Sequence, residues 1–89
     1  DVEGFSDMIR SISGVEVALM IFQQDESNCR INFRSKGEIT VNDIAKKLGG
    51  GGHAFAAGAM INEALEKATE KAVSLTKTSI NNQLNQHLT

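Results

Sequence analysis

Residues 48–58 read Leu48-Gly49-Gly50-Gly51-Gly52-His53-Ala54-Phe55-Ala56-Ala57-Gly58. This stretch decides the fold, because it divides a helical pattern from a strand pattern with a run that suits neither. Each glycine adds backbone freedom that folding must remove. Four in a row therefore weaken a domain unless the chain turns through positive φ or something must approach the backbone closely. Successive bared N–H groups form a concavity that suits an anion, with phosphate the commonest occupant. His53 at the end of the run can donate a hydrogen bond to a phosphate oxygen. On this reading Gly50, Gly51, Gly52 and His53 form a phosphate-binding loop, and Gly49 ends the preceding helix in a left-handed conformation.

Upstream of the glycines, Thr40 to Asp43 predicts a helix start. The Thr40 hydroxyl caps the first turn, Asp43 sits near the positive end of the helix dipole, and Ile39 and Ile44 take the staple positions. Val41, Ile44, Ala45 and Leu48 supply its buried stripe. Farther upstream, Cys29, Ile31 and Phe33 alternate strictly with Arg30, Asn32 and Arg34, which predicts a strand with one face in the core and two guanidiniums and an amide on the other. Arg34 on that polar face can hold a phosphate in a bidentate manner. Arg30 shares the face and is a second candidate, set against the plainer reading of an exposed arginine. A polar turn, Gln23 to Asn28, precedes this strand. Val15 to Phe22 before it is apolar on both faces apart from Glu16, as in a central strand covered on two sides. Phe5, Met8, Ile9 and Ile12 recur at helical spacing with Gly14 as a stop, which predicts a short amphipathic helix over residues 5–12.

Downstream, Gly58 to Asn62 predicts a third, short strand, and Asn62 is placed to cap a long final helix with apolar positions Leu65, Ala68, Ala72 and Leu75. Glu63 and Lys67 form a supporting pair. The amide-rich residues 81–89 predict a frayed tail, although Leu84 and Leu88 would extend the stripe. The order helix, strand, strand, helix, glycine loop, strand, helix implies one α/β domain over residues 1–89. Its core lies at about 5–80, with helices packed on a small mixed sheet and a glycine-rich substrate loop.

Eighty-nine residues suffice for one core and not for a second domain. The net charge of −2 excludes a protein that coats polyanions nonspecifically, yet the charge is uneven. Residues 29–53 hold five bases and two acids, and the remainder holds four bases and nine acids. Positive charge thus gathers around the glycines, as a local phosphate site needs. One cysteine forms no internal disulfide and no apolar run reaches membrane-spanning length, so a soluble, reducing, cytoplasmic setting without membrane is expected. Cys29 reads as a buried small hydrophobe. The chain opens at Asp1 without a methionine, so the absence of a visible signal peptide carries little weight.

The combination Ile31-Asn32-Phe33-Arg34-Ser35-Lys36-Gly37, Val41-Asn42-Asp43-Ile44-Ala45, Gly49-Gly50-Gly51-Gly52-His53 and Ala56-Ala57-Gly58 resembles the C-terminal DHH-associated domain of the DHH phosphoesterase superfamily. The opening Met8-Ile9-Arg10-Ser11-Ile12-Ser13-Gly14-Val15-Glu16-Val17 and the Phe33 to Gly37 stretch are most similar to the bacterial nanoRNases, which also dephosphorylate pAp. The resemblance implies that an N-terminal DHH domain of the same polypeptide carries two Mn²⁺ ions and that this domain closes over the cleft to hold substrate. Gly50, Gly51, Gly52 and His53 would then contact substrate phosphate or sugar, and Arg34 with Ser35 a second phosphate or the nucleotide end. The implied partners are short oligonucleotides or nucleotide phosphates.

This chain lacks Asp-His-His and any clustered metal ligands, which two-metal phosphodiester hydrolysis requires. A substrate-binding half that binds no cofactor itself is therefore expected, with no catalytic residue of its own. Asp43 and Glu38 do not supply a ligand set, and His87 reads as part of the tail. Other superfamily members remain open: a single-strand exonuclease of the RecJ type, a cyclic dinucleotide phosphodiesterase, and the C-terminal domain of alanyl-tRNA synthetase. A noncatalytic nucleic-acid-binding or oligomerisation module is the alternative from another class. Nonspecific single-strand binders stack bases on aromatic platforms, and four phenylalanines without Tyr or Trp are few for that. Phe55 beside the loop reads as core, with base stacking its alternative. Oligomeric state is not legible in the residues.

Overall fold

A computed structural model describes residues 4–10 and 16–88, with residues 4–10 and 87–88 described by backbone alone. Five strands, β1 (Gly4–Arg10), β2 (Glu16–Asp25), β3 (Asn28–Ser35), β4 (Gly51–His53) and β5 (Ala56–Ile61), and two helices, α1 (Asn42–Lys47) and α2 (Leu65–Leu88), build an α/β domain. The sheet order is β1-β2-β3-β5-β4, and each of these pairings is antiparallel rather than of both kinds.

β2 and β3 form because an apolar run and a strictly alternating run meet at a tight polar turn. There Asp25 Oδ1 accepts hydrogen bonds from the Ser27 N–H and from Asn28 Nδ2, each at 2.9 Å. These donors, the Ser27 N–H foremost, hold the exposed Asp25 carboxyl below its usual pKa. Val17, Leu19 and Ile21 of β2 and Cys29, Ile31 and Phe33 of β3 are fully buried. The other face of β2 is half-buried.

The buried face is covered by α2, which lies against β1, β2 and β3, while α1 lies against β4 and β5. Ala68, Ala72, Thr76 and Ile80 recur every four residues along α2 and are buried. Three of the four are small, so the helix axis can approach the sheet closely. Thr76 is the buried polar residue of this stripe, and its hydroxyl donates to the Ala72 carbonyl at 2.7 Å, so no polar group is stranded. Leu65 and Leu75, expected in the stripe, flank it and are partly buried. The Cys29 thiol is buried and 3.4 Å from the Glu63 carbonyl. Burial pushes its pKa up, as expected of a small hydrophobe.

Several local expectations are corrected. Residues 4–10 are a strand paired with β2 from Gly4↔Phe22 to Arg10↔Glu16, not the start of a helix over 5–12. Ile12 and Gly14 lie outside the described residues. A strand as apolar as β2 needs both edges paired, and β1 supplies the second partner. α1 has Val41 at its N-cap and no side-chain cap bond. The Thr40 hydroxyl instead donates to Gln83 Oε1 at 3.2 Å, and the Thr40 N–H donates to the same oxygen at 2.9 Å. Gln83 Nε2 returns a hydrogen bond to the Thr40 carbonyl at 2.9 Å. α2 begins at Leu65, with the Ala68 N–H on the Ala64 carbonyl, so Asn62 lies ahead of any capping position and Glu63 ahead of the helix. α2 continues through the amide-rich residues to Leu88, with Ile80 buried and Leu84 packed on the core. The helix thus runs on through residues 81–88 rather than ending before them.

Gln83 ties the C-terminal part of α2 to the entry of α1 with three hydrogen bonds. Gln83→Ala strips the Thr40 backbone of both partners and is expected to cost about 2 kcal/mol. For a domain of this size that lowers the thermal midpoint on the order of 10 °C. A shift of only a degree or two by calorimetry would show that water replaces the glutamine without loss.

Candidate functional site

The glycine run serves three structural purposes in succession. Gly49 takes the left-handed conformation at φ 85°, directly after the Leu48 C-cap of α1. The Gly49 N–H donates to the Lys46 carbonyl at 2.9 Å and the Gly50 N–H to the Ala45 carbonyl at 2.8 Å, the paired bonds of a Schellman ending. Gly50 therefore spends its donor on the helix and is not free to offer it to an anion. Gly51, Gly52 and His53 form edge strand β4, in register with Gly58, Ala57 and Ala56. An extended strand turns its N–H groups alternately to either side, so the expected nest of successive donors is not formed. The outer edge of β4 offers alternate N–H groups instead.

Close packing explains two of the glycines. A Cβ on Gly50 would overlap the Gly58 carbonyl oxygen and lie 2.7 Å from Ala59 Cα. Gly52 has φ 144°, and a Cβ there would lie 2.7 Å from Ala57 Cα. A Cβ on Gly51 would meet nothing within 4 Å.

The tip of the β4–β5 hairpin is pinned on both sides. The Val41 N–H donates to the Ala54 carbonyl at 2.7 Å, and the Ser35 N–H to the Phe55 carbonyl at 2.9 Å. These bonds fix where His53 sits relative to β3. Across the sheet, Arg34 pairs with Ala56 and Ala56 with His53, while Asn32 pairs with Gly58 and Gly58 with Gly51. Residues in cross-strand register share a face, so the Arg34 guanidinium and the His53 imidazole flank a strip floored by Ala56. The neighbouring row runs from Asn32 over two glycines. Adding a Cβ to Gly58 would bring it within 3.0 Å of Asn32 Oδ1, so glycine here leaves the amide room and the floor open.

These residues line an open cavity of about 580 Å³ on the sheet face away from the core helices, with Arg30 and Met60 at one end and Gly49 to His53 along its side. Of the residues expected from sequence, Arg30, Arg34, Gly50, Gly51, Gly52 and His53 all line it, and Ser35 does not. Strand alternation turns Ser35 to the other face from Arg34, where its hydroxyl accepts the Gly37 N–H at 3.2 Å. Lys36 is drawn away by Glu16, at 3.1 Å. Phe55 is 44% exposed and lies neither in the core nor among the cavity residues. Asn32, Gly58 and Met60 also line the cavity, although the sequence motifs do not single them out as site residues. The signal for them is the period of two in β3 and β5, which puts Asn32 between the arginines and Ala56, Gly58 and Met60 on one face.

Arg30, Arg34 and His53 are exposed, and their side chains have no hydrogen-bond or ion-pair partner among the described residues. The cavity thus carries two guanidiniums, an imidazole, a carboxamide and edge N–H donors, with no carboxylate in its lining. Such a set binds anions and orients them. It does not fit manganese: among the described residues no three His, Cys, Asp or Glu side chains gather as a metal site. No described helix is long and apolar enough to cross a membrane.

The DHHA1 domain model matches residues 1–82. Among curated proteins, the chain is similar to the bifunctional oligoribonuclease and PAP phosphatase NrnA of Thermus thermophilus, 35% identical over 74 residues, which are 82% of this chain and 22% of that protein. NrnA of Bacillus subtilis is 43% identical over 51 residues, 57% of this chain and 16% of the relative. The cyclic-di-AMP phosphodiesterase GdpP of Bacillus subtilis is 37% identical over 67 residues, 70% of this chain and 10% of the relative. The chain therefore spans less than a quarter of the length of these relatives. The motifs, the sheet with its helices and these likenesses agree, and the chain belongs to the DHHA1 domain family, the associated domain of DHH phosphoesterases related to the nanoRNases.

Proposed function

We propose that this domain holds the phosphates of nucleotides or very short oligonucleotides for hydrolysis by the enzyme of which it is part. The observation that carries the reading is the row Arg34–Ala56–His53. It sets a cation and a second hydrogen-bond donor on either side of a floor one methyl high, with glycine backbone alongside. A phosphate can settle there against the sheet, which a bulkier floor would prevent.

The relatives named above act on oligoribonucleotides, PAP and cyclic-di-AMP. What these share is a phosphate ester on a nucleoside, the feature the cavity suits. Very short RNA and pAp are the substrates that the NrnA likeness favours, and the GdpP likeness supports a cyclic dinucleotide as the second reading. Activation of water falls to manganese ions held by the DHH domain of the same polypeptide, in the cytoplasm. This chain's part is to bind and orient.

Two measurements test the proposal. The 89-residue chain, incubated with Mn²⁺ and labelled dinucleotide or pAp, is expected to give no turnover, because it holds no ligand set to activate water. Turnover comparable to that of a complete DHH enzyme would overturn the division of labour. In an amide chemical-shift titration of the same chain with pAp, the amides of Arg34, Gly51, Gly52 and His53 are expected to move most. Shifts clustered on another face would remove the site.

A further inference from the structure

The phosphate row occupies only part of the open sheet face. Four residues up β3 from Arg34, Arg30 pairs with Phe22 of β2 on one side and with Met60 of β5 on the other. All three are on the face away from the core: Phe22 is half-buried, Arg30 is exposed, and Met60 is 46% exposed. Neighbouring strands lie about 4.8 Å apart, so a phenyl ring, a guanidinium and a thioether stand side by side. The Arg30 side chain has no hydrogen-bond or ion-pair partner among the described residues; Arg30 and Met60 line the same cavity as Arg34 and His53, and Phe22 adjoins that lining one strand away. Each of the three groups packs well on the flat face of an aromatic ring, and a guanidinium also donates hydrogen bonds to ring-edge acceptors.

We propose that Phe22, Arg30 and Met60 form a shelf for a nucleobase, so that this face binds a phosphate at Arg34 and His53 and the base of an adjoining nucleotide at the other end. The inference rests on the phosphate reading above and extends it to the substrate class. Arg30 and Arg34 are four strand residues apart, about 13 Å along β3. One phosphate does not bridge that distance, whereas a phosphate with its sugar and base does. A face built for phosphate alone would have no use for two apolar side chains flanking the second arginine. A protein partner would find a narrow apolar row interrupted by a charge. The shelf also explains how a chain poor in aromatic residues can hold a base: one ring is supplemented by a planar cation and a flexible sulfur side chain.

The test compares two probes on the full chain, a 5′-phosphorylated dinucleotide and the same compound with its 3′-terminal base removed. The readout is the ratio of their dissociation constants by calorimetric titration. The wild-type chain is expected to favour the intact dinucleotide on the order of tenfold, the worth of one stacked base. Met60→Ala and Arg30→Gln, both at exposed positions, are each expected to reduce that ratio to below about threefold. Arg34→Ala is expected to weaken both probes together and leave the ratio standing. A wild-type ratio near one overturns the shelf while leaving the phosphate site intact, and marks the apolar row as a packing surface for other parts of the protein. A ratio that survives in both Met60→Ala and Arg30→Gln likewise overturns it, since the base is then held elsewhere. Equal binding of both probes by the wild type and Arg34→Ala removes the phosphate reading instead.

Discussion

Arg34→Ala and His53→Ala in a complete enzyme carrying this domain are each expected to lower kcat/KM on the order of 10- to 100-fold, the loss of one charge-assisted hydrogen bond to substrate phosphate. Both side chains are exposed and neither has a partner among the described residues, so their removal leaves the core untouched. The thermal midpoint is expected to stay within a few degrees of the wild type. Each substitution isolates one side of the row that flanks Ala56, so the double variant reports whether they grip the same phosphate. Coupled losses smaller than the product of the single effects mean a shared phosphate. Independent losses mean two. Near-normal kinetics in either single variant removes that residue from the site.

The second large effect is on stability, and it separates three glycines that look alike in sequence. Gly50→Ala drives a methyl into the Gly58 carbonyl oxygen and against Ala59, which displaces β5. Gly52→Ala strains a backbone at φ 144° and crowds Ala57. Overpacking of this kind costs about 1–3 kcal/mol or more, so each variant is expected to lose on the order of 10 °C in thermal midpoint by calorimetry. Gly51→Ala meets open space and is expected to hold its midpoint, while its methyl intrudes on the cavity and weakens pAp binding. A midpoint that falls with Gly51→Ala while pAp binding is unchanged would make the whole run a turn rather than part of a binding face.

Much of the site is legible in the residue order because its signals are local. The alternation in β3 alone puts Arg30, Asn32 and Arg34 on one face, and the left-handed ending at Gly49 follows from the helix pattern that precedes it. The same alternation also excludes Ser35 from the face of Arg34, although the family resemblance groups the two together. What is not legible depends on partners distant in sequence. Phe5, Met8 and Ile9 carry helical spacing, yet the pairing demand of β2 makes that segment a strand. Thr40 has the chemistry of a helix cap, yet its hydroxyl is taken by Gln83, forty-three residues away. The glycines read as a loop because nothing within them reveals that Ala56 to Gly58 lies alongside as a strand partner. A run of glycine has no side-chain alternation from which a strand could be recognised.

The pinned hairpin tip has a kinetic consequence. Ala54 and Phe55 each give their carbonyl to a different element, one to Val41 at the entry of α1 and the other to Ser35 at the end of β3. The hairpin tip beside His53 can therefore not lift without breaking both bonds and loosening α1 and β3 at once. Opening at the histidine end thus belongs to one cooperative unit, with a free energy closer to that of core unfolding than to that of a surface turn. Hydrogen exchange would show it in the Ser35 and Val41 amides, exchanging slowly and at a common rate despite lying where regular structure ends or has yet to begin.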